Sequence, residues 1–131
     1  MAKSLRIVLA VVLAFVAWFV AATLGNFILR AAIPDYRAEE VATSFSLASQ
    51  VGRLVLGLVS TFAATFVALL IVRRNAMLAL AVGCVLFVFF IPVHVSLWAK
   101  FPLWYHVFFL ASLPIGALLF GRLIVARQHA A

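Results

Sequence analysis

The sequence predicts an all-α integral membrane protein, a single domain over residues 1–131 with four transmembrane helices in an antiparallel bundle. Three observations carry that prediction. The 131-residue chain is 69% hydrophobic and 10% charged, with a mean hydropathy of +1.30, whereas soluble domains run at about 45–50% apolar and about 25% charged. No water-soluble core hides that much apolar surface, so lipid is the solvent. Four continuous apolar runs, at about 7–28, 54–72, 77–97 and 103–126, each suffice for a hydrocarbon layer about 30 Å thick, which takes about 20 helical residues. The runs also lack the two-residue alternation of transmembrane barrel strands.

Span 1 lies in "MAKSLRIVLAVVLAFVAWFVAATLG". Its apolar stretch exceeds the roughly 7–15 residues of a signal peptide's core, so an anchor is expected. Pro34 ends this span, and Asp35, Glu39 and Glu40 place negative charge at a following helix start. Val41, Phe45 and Ala48 recur at i, i+4 and i+7. This pattern predicts a short amphipathic helix at the outer interface, or an extension of span 2. Arg37 and Glu40 stand one turn apart and are expected to pair. Spans 2 and 3 are joined by the tight link "RRN". Pro102 suits the first turn of span 4.

Basic residues set the orientation. With the N-terminus inside, Lys3, Arg6, Arg73, Arg74, Arg122 and Arg127 fall on the cytoplasmic side, and Arg30, Arg37, Arg53 and Lys100 on the other. The bias and the "RRN" link place both termini in the cytoplasm and the first loop in the periplasm. A bacterial inner membrane is the expected location. The formal charge of +7 is spread over the ends of apolar runs rather than gathered on one face, which argues against nucleic-acid binding.

Several chemistries are disfavoured by absence. An ionisable group at mid-membrane depth marks function by default, and the middle of each span has no Asp, Glu, Lys, Arg or His. The short four-span plan resembles small multidrug-resistance exporters in outline, but their acidic residue in span 1 is missing here. No nucleophile–base constellation, P-loop or zinc spacing occurs, so no catalytic or metal site is expected. The single cysteine, Cys84, reads as a small hydrophobe.

Small residues spaced by four let helix backbones approach in lipid. Span 2 carries two such lanes, Ser60/Ala64/Ala68 and Gly57/Thr61/Thr65, and is expected to be the most buried helix. Span 1 offers Ala17, Ala21 and Gly25. Arg122, one turn inside Arg127, reads as a snorkelling side chain or as part of a lipid-headgroup site with Arg73 and Arg74. The phenylalanines concentrated in spans 3 and 4 read chiefly as lipid-facing bulk.

His94 and His106 are expected at one depth near the outer edge, on neighbouring helices. They admit two readings. Neutral imidazoles at one level suit haem ligation. Their neighbours Trp98, Lys100, Trp104 and Tyr105 instead suggest an aromatic belt at headgroup level. The belt reading is preferred, with no cofactor predicted and haem or quinone binding as the alternative.

The stretches "SLRIVLAVVLAFV" and "FPLWYHVFFLASLPIGALLFGRLI" resemble the first and last spans of small four-span bacterial inner-membrane proteins without an assigned function. The resemblance implies topology alone. The expected function is a non-enzymatic structural or accessory subunit, with the bilayer and other membrane subunits, or itself, as partners. The alternatives are a small homo-oligomeric channel lined by Ser60, Thr61 and Thr65, and a redox subunit using His94 and His106.

Overall fold

The computed structural model describes residues 2–131, and the chain is all-helical. The elements are α1 (Ala2–Ala32), α2 (Tyr36–Ala42), α3 (Leu47–Ile71), α4 (Ala76–Ser96) and α5 (Leu103–Ala130), with a 3-10 turn at Trp98–Lys100 before α5. All but α2 are long and apolar enough to cross a membrane.

These helices overrun the apolar runs at their polar ends. α1 starts at Ala2 and extends to Ala32, α3 begins at Leu47 rather than near residue 54, and α5 continues to Ala130. Hydropathy marks where lipid ends, whereas the backbone ladder continues through Lys3, Arg6, Gln50, Arg53 and Gln128. The 31 residues of α1 reach about 46 Å at 1.5 Å per residue, well beyond the hydrocarbon layer.

Local chemistry sets the breaks. Asp35 adopts a left-handed backbone, φ 66°, just after Pro34, and separates α1 from α2. Thr43, φ 49°, ends α2. Ser46 then caps α3 in extended geometry, its hydroxyl accepting from the Ser49 N–H at 3.3 Å. Asn75 caps α4, accepting from the Leu78 N–H at 3.1 Å. In the α3–α4 link, left-handed Arg74 (φ 59°) donates its backbone N–H to Gln128 Oε1 at 2.8 Å, and Gln128 Nε2 donates to the Leu69 carbonyl. That link is therefore stapled to the far end of α5.

Two expectations about the first loop are corrected. The Val41/Phe45/Ala48 stripe is not one helical face: α2 stops at Ala42, Phe45 lies in the connection, and Ala48 belongs to α3. Val41 is 89% exposed. Glu40 pairs not with Arg37 but with Arg30 in the last turn of α1, at 2.8 Å.

Packing is densest around α3, whose apolar window is 44% buried, against 17–33% in the other three long helices. α1 lies along α3, α4 along α5, and α3 also meets α5. Both lanes of α3 are sealed, with Gly57, Ser60, Thr61, Ala64, Thr65 and Ala68 buried. The buried lane of α1 is Ala10, Ala14 and Trp18. Ala17, Ala21 and Gly25 are only half-buried, although Leu56 fills the place of a Cβ on Gly25. Some aromatics expected to face lipid are internal, since Phe90 and Phe109 belong to the core.

The glycines differ in what they allow. A Cβ on Gly83 of α4 would stand 2.6 Å from the Leu113 carbonyl oxygen and 2.7 Å from the Pro114 Cα, backbone atoms that cannot swing aside. At Gly116 the nearest atoms lie 3.6 Å away, in ordinary contact. Gly83→Ala is thus expected to destabilise the fold by about 1–3 kcal/mol through overpacking. Gly116→Ala is expected to be neutral or to stabilise by up to about 1 kcal/mol through helix propensity. Thermal unfolding of the two variants in one detergent measures the difference; equal losses would contradict this packing.

Candidate functional site

Each of the four long helices turns a lane of residues spaced by four toward the others, and each lane ends in a polar residue at the same end of the bundle, buried at His94 and Tyr105 and half-buried at Asn26 and Arg53. In α1 it runs Ala10, Ala14, Trp18, Ala22 to Asn26; in α3 back from Thr65 through Thr61 and Gly57 to Arg53; in α4 from Val82 through Leu86 and Phe90 to His94; in α5 back from Leu113 through Phe109 to Tyr105. Spacing by four keeps residues on one helical face. Polar groups on that face must meet, and they do.

His94 and His106 are both buried, and their Nδ1 atoms lie 2.7 Å apart. His106 Nε2 lies 3.3 Å from the Trp98 carbonyl oxygen. A carbonyl only accepts, so His106 Nε2 carries hydrogen; in the neutral ring its Nδ1 is then bare and accepts from His94 Nδ1–H. Trp98 stacks on His106 at 4.7 Å and 11°, and Tyr105 on His94 at 6.2 Å and 26°. Nitrogens on opposite faces of one metal, at about 2.0–2.1 Å each, would stand about 4 Å apart. As placed, the imidazoles bond one another.

The belt divides. Trp98 and Trp104 are 55% and 45% exposed and Lys100 is exposed, but Tyr105 is only 3% exposed and belongs to the interior. Its hydroxyl accepts from Arg53 Nε at 3.3 Å. Arg53 Nη1 donates to the Tyr36 hydroxyl at 3.1 Å, and Tyr36 donates on to Asn26 Oδ1 at 3.0 Å. The guanidinium also lies over the Phe45 ring, 4.7 Å from its centroid. Nearby in the loop, the Ser49 hydroxyl, aided by Ser46, holds the Glu39 carboxyl below the usual carboxylate range against the opposing effect of desolvation.

Beneath this network is a pocket of about 250 Å³ between α1, α3, α4 and α5. Arg53, Asn26, Tyr105 and Thr23 line its polar end; Trp18, Phe19, Leu56, Phe90 and Phe109 form its apolar body. The Trp18 indole is fixed by donating to the Thr61 hydroxyl at 3.1 Å, and Thr61 donates to the Gly57 carbonyl at 2.8 Å. Ser60 donates to the Leu56 carbonyl. The α3 hydroxyls thus face the interior of this chain. Thr65 Oγ1 is buried without a partner.

The arginines regroup at the opposite end. Arg73 and Arg127 border one apolar groove of about 610 Å³ between the ends of α3 and α5. Arg122 is exposed and does not line that groove, while Arg74 is engaged through its backbone by Gln128. At 100° per residue, positions 122 and 127 differ by about 140° around α5, so they face different sides. A further groove, of about 530 Å³, runs along α5 and α3 past Ser112 and Gly116.

Asn26, Tyr36, Arg53, Trp18 and Arg127 were not singled out as site residues on sequence. The signal for Arg53 was present, since extending the Gly57/Thr61/Thr65 lane back by one turn reaches it. No family model, curated protein or solved structure matches this chain.

Removing one histidine leaves its partner's polar atom buried and unpaired, at a cost of about 1–3 kcal/mol, whereas removing both with similar shapes costs less. His94→Phe and His106→Phe are therefore each expected to destabilise. The double variant should lose less than the sum, by about 0.6 kcal/mol, the average hydrogen-bond coupling in membrane helices, and by no more than about 1.7 kcal/mol. A double-mutant cycle by unfolding in mixed micelles measures this coupling; strict additivity would refute a direct bond.

Proposed function

We propose that this chain is a non-enzymatic integral membrane protein that serves as a structural or accessory subunit of a larger membrane complex. In this reading it is an antiparallel four-helix bundle in a bacterial inner membrane, with both termini cytoplasmic. Arg6, Arg73, Arg74, Arg122 and Arg127 lie towards the ends of helices or links that would face the cytoplasm, in keeping with the positive-inside rule.

One observation carries the accessory role. Gly83 and Gly121 are demanded by the chain's own packing, where a Cβ would press on Leu113 and Ala79 respectively. Gly116 has no such demand, with nothing closer than 3.6 Å to a Cβ placed there. A helical glycine costs about 1 kcal/mol relative to alanine, and this one sits under an open groove. Ser112 lies one turn away in the same groove, whose flanks include Leu58, Trp104, Phe108, Leu119 and Phe120. Small-xxx-small floors with bulky walls suit a second transmembrane helix, because close backbone approach replaces the hydrophobic drive that lipid removes. The Ser60/Thr61/Thr65 hydroxyls are turned inward and partly bonded to their own helix, so they are not what a partner at this groove would meet.

A photo-reactive residue at Leu119, 53% exposed, tests this reading in native membranes. One discrete protein adduct is expected, either a second copy or another subunit, and Gly116→Leu should abolish it while the monomer still folds. Lipid adducts alone, or a protein adduct indifferent to Gly116→Leu, would refute the accessory role.

A further inference from the structure

We propose that the pocket beneath Arg53 is a binding site for an acyl amphiphile with a single anionic head, its carboxylate or phosphate seated on Arg53, Asn26 and Tyr105. The inference starts from the hydrogens left over at the polar end. Arg53 spends Nε on Tyr105 and Nη1 on Tyr36, and its Nη2 has no partner. Tyr105 accepts through its oxygen, so its own O–H hydrogen is unspent. Asn26 accepts through Oδ1, which leaves its NH₂ group free. All three residues line the pocket. Arg53 Nη2 and the Asn26 amide nitrogen, both unpartnered, are not among the buried unpartnered atoms, so both reach accessible space. The unspent hydrogens of Arg53, Asn26 and Tyr105 are all donors, the Thr23 hydroxyl can donate as well as accept, and donors converging on one cavity select an acceptor.

Charge makes that acceptor an anion. Among the described residues the one ion pair is Arg30 with Glu40, so Arg53 has no carboxylate of its own chain. A half-buried guanidinium without a counter-ion carries a desolvation cost, and a bound anion relieves it through charge-assisted bonds.

The rest of the cavity describes the tail. The body beneath the donors is aromatic and aliphatic, and Phe19 and Thr23 also line a second groove of about 380 Å³ along α1, bordered by Phe15, Val16, Val20 and Leu24. Polar head site and apolar groove share these two residues, so a head on Arg53 leaves its chain a path along α1 toward the membrane interior. α1 and α4 meet there through rings, Phe15 and Phe19 against Phe89 and Phe90. A free fatty acid and an anionic phospholipid share this chemistry.

Trp18 lies in the pocket and reports on it. In a Trp98→Phe/Trp104→Phe background, brominated stearate added to the full-length protein in detergent should quench Trp18 saturably. Its neutral methyl ester should quench weakly. Arg53→Gln should raise the half-quenching concentration roughly tenfold or more, as loss of a charged hydrogen bond does. Ala22→Phe, which fills the pocket and leaves Arg53 intact, should do the same, and it decides the matter if Arg53→Gln does not fold. Brominated phosphatidylglycerol quenching at lower concentration than brominated stearate, and than brominated phosphatidylcholine, identifies a phospholipid occupant; the reverse order identifies a fatty acid. Quenching that never saturates, that is equal for acid and ester, or that ignores both variants overturns the proposal.

Discussion

Close backbone approach in lipid is the constraint on which this structure depends. Helices in a bilayer gain nothing by hiding apolar side chains from one another, so they associate where small residues allow van der Waals contact between backbones. Here those contacts fall at Gly83 against Leu113 and Pro114, at Gly121 against Ala79, and along the Gly57/Thr61 face of α3. Because the contacts repeat every fourth residue, each helix is fixed in rotation as well as in position. Whatever ends a lane is carried inward with it. His94 and Tyr105 are buried and Asn26 and Arg53 half-buried for that reason, although each sits near the end of an apolar run.

Most polar groups brought inward then find partners among themselves, since leaving one unpaired costs more than a bond contributes; Thr65 Oγ1 is an exception. The histidines do so completely on the shared side: one donates to the other, which donates to the Trp98 carbonyl. The arginine does so only in part. Two phenol oxygens and an aromatic face take three of its contacts, and what remains is a set of donors around a cavity. One bundle therefore presents two features of different character, a donor-lined pocket inside and a glycine-floored groove outside. They lie on different faces, so a subunit contact at Gly116 and a ligand at Arg53 are compatible.

The helices were legible because hydropathy reports directly on lipid contact, but their ends were not, since backbone bonding outlasts the apolar run through residues such as Gln50 and Arg53. The first-loop helix was placed correctly at its start by Pro34 and Asp35. Its length was overread because nothing in "VATSFSLAS" announces that Thr43 adopts a left-handed backbone. The shared depth of His94 and His106 followed from counting residues from helix ends. Their direct bond depends on rotation about each axis, which depth does not specify. Arg53 was counted as an outer-side charge for orientation, although stepping back four residues from Gly57 puts it on the most buried lane. Tyr105 was assigned to the belt by its neighbours, whereas the lane through Phe109 and Leu113 places it inside.

Arg53 is turned toward the other helices and, among the described residues, left without a carboxylate. Solid-state NMR of protein in lipid, with ¹⁵N in arginine guanidinium groups and ¹³C in Asp and Glu carboxyls, measures this directly. In an Arg30→Gln variant, which removes the pair with Glu40, no guanidinium–carboxylate contact within about 4 Å, the salt-bridge range, should remain. A surviving contact that disappears on Arg53→Gln would contradict the account.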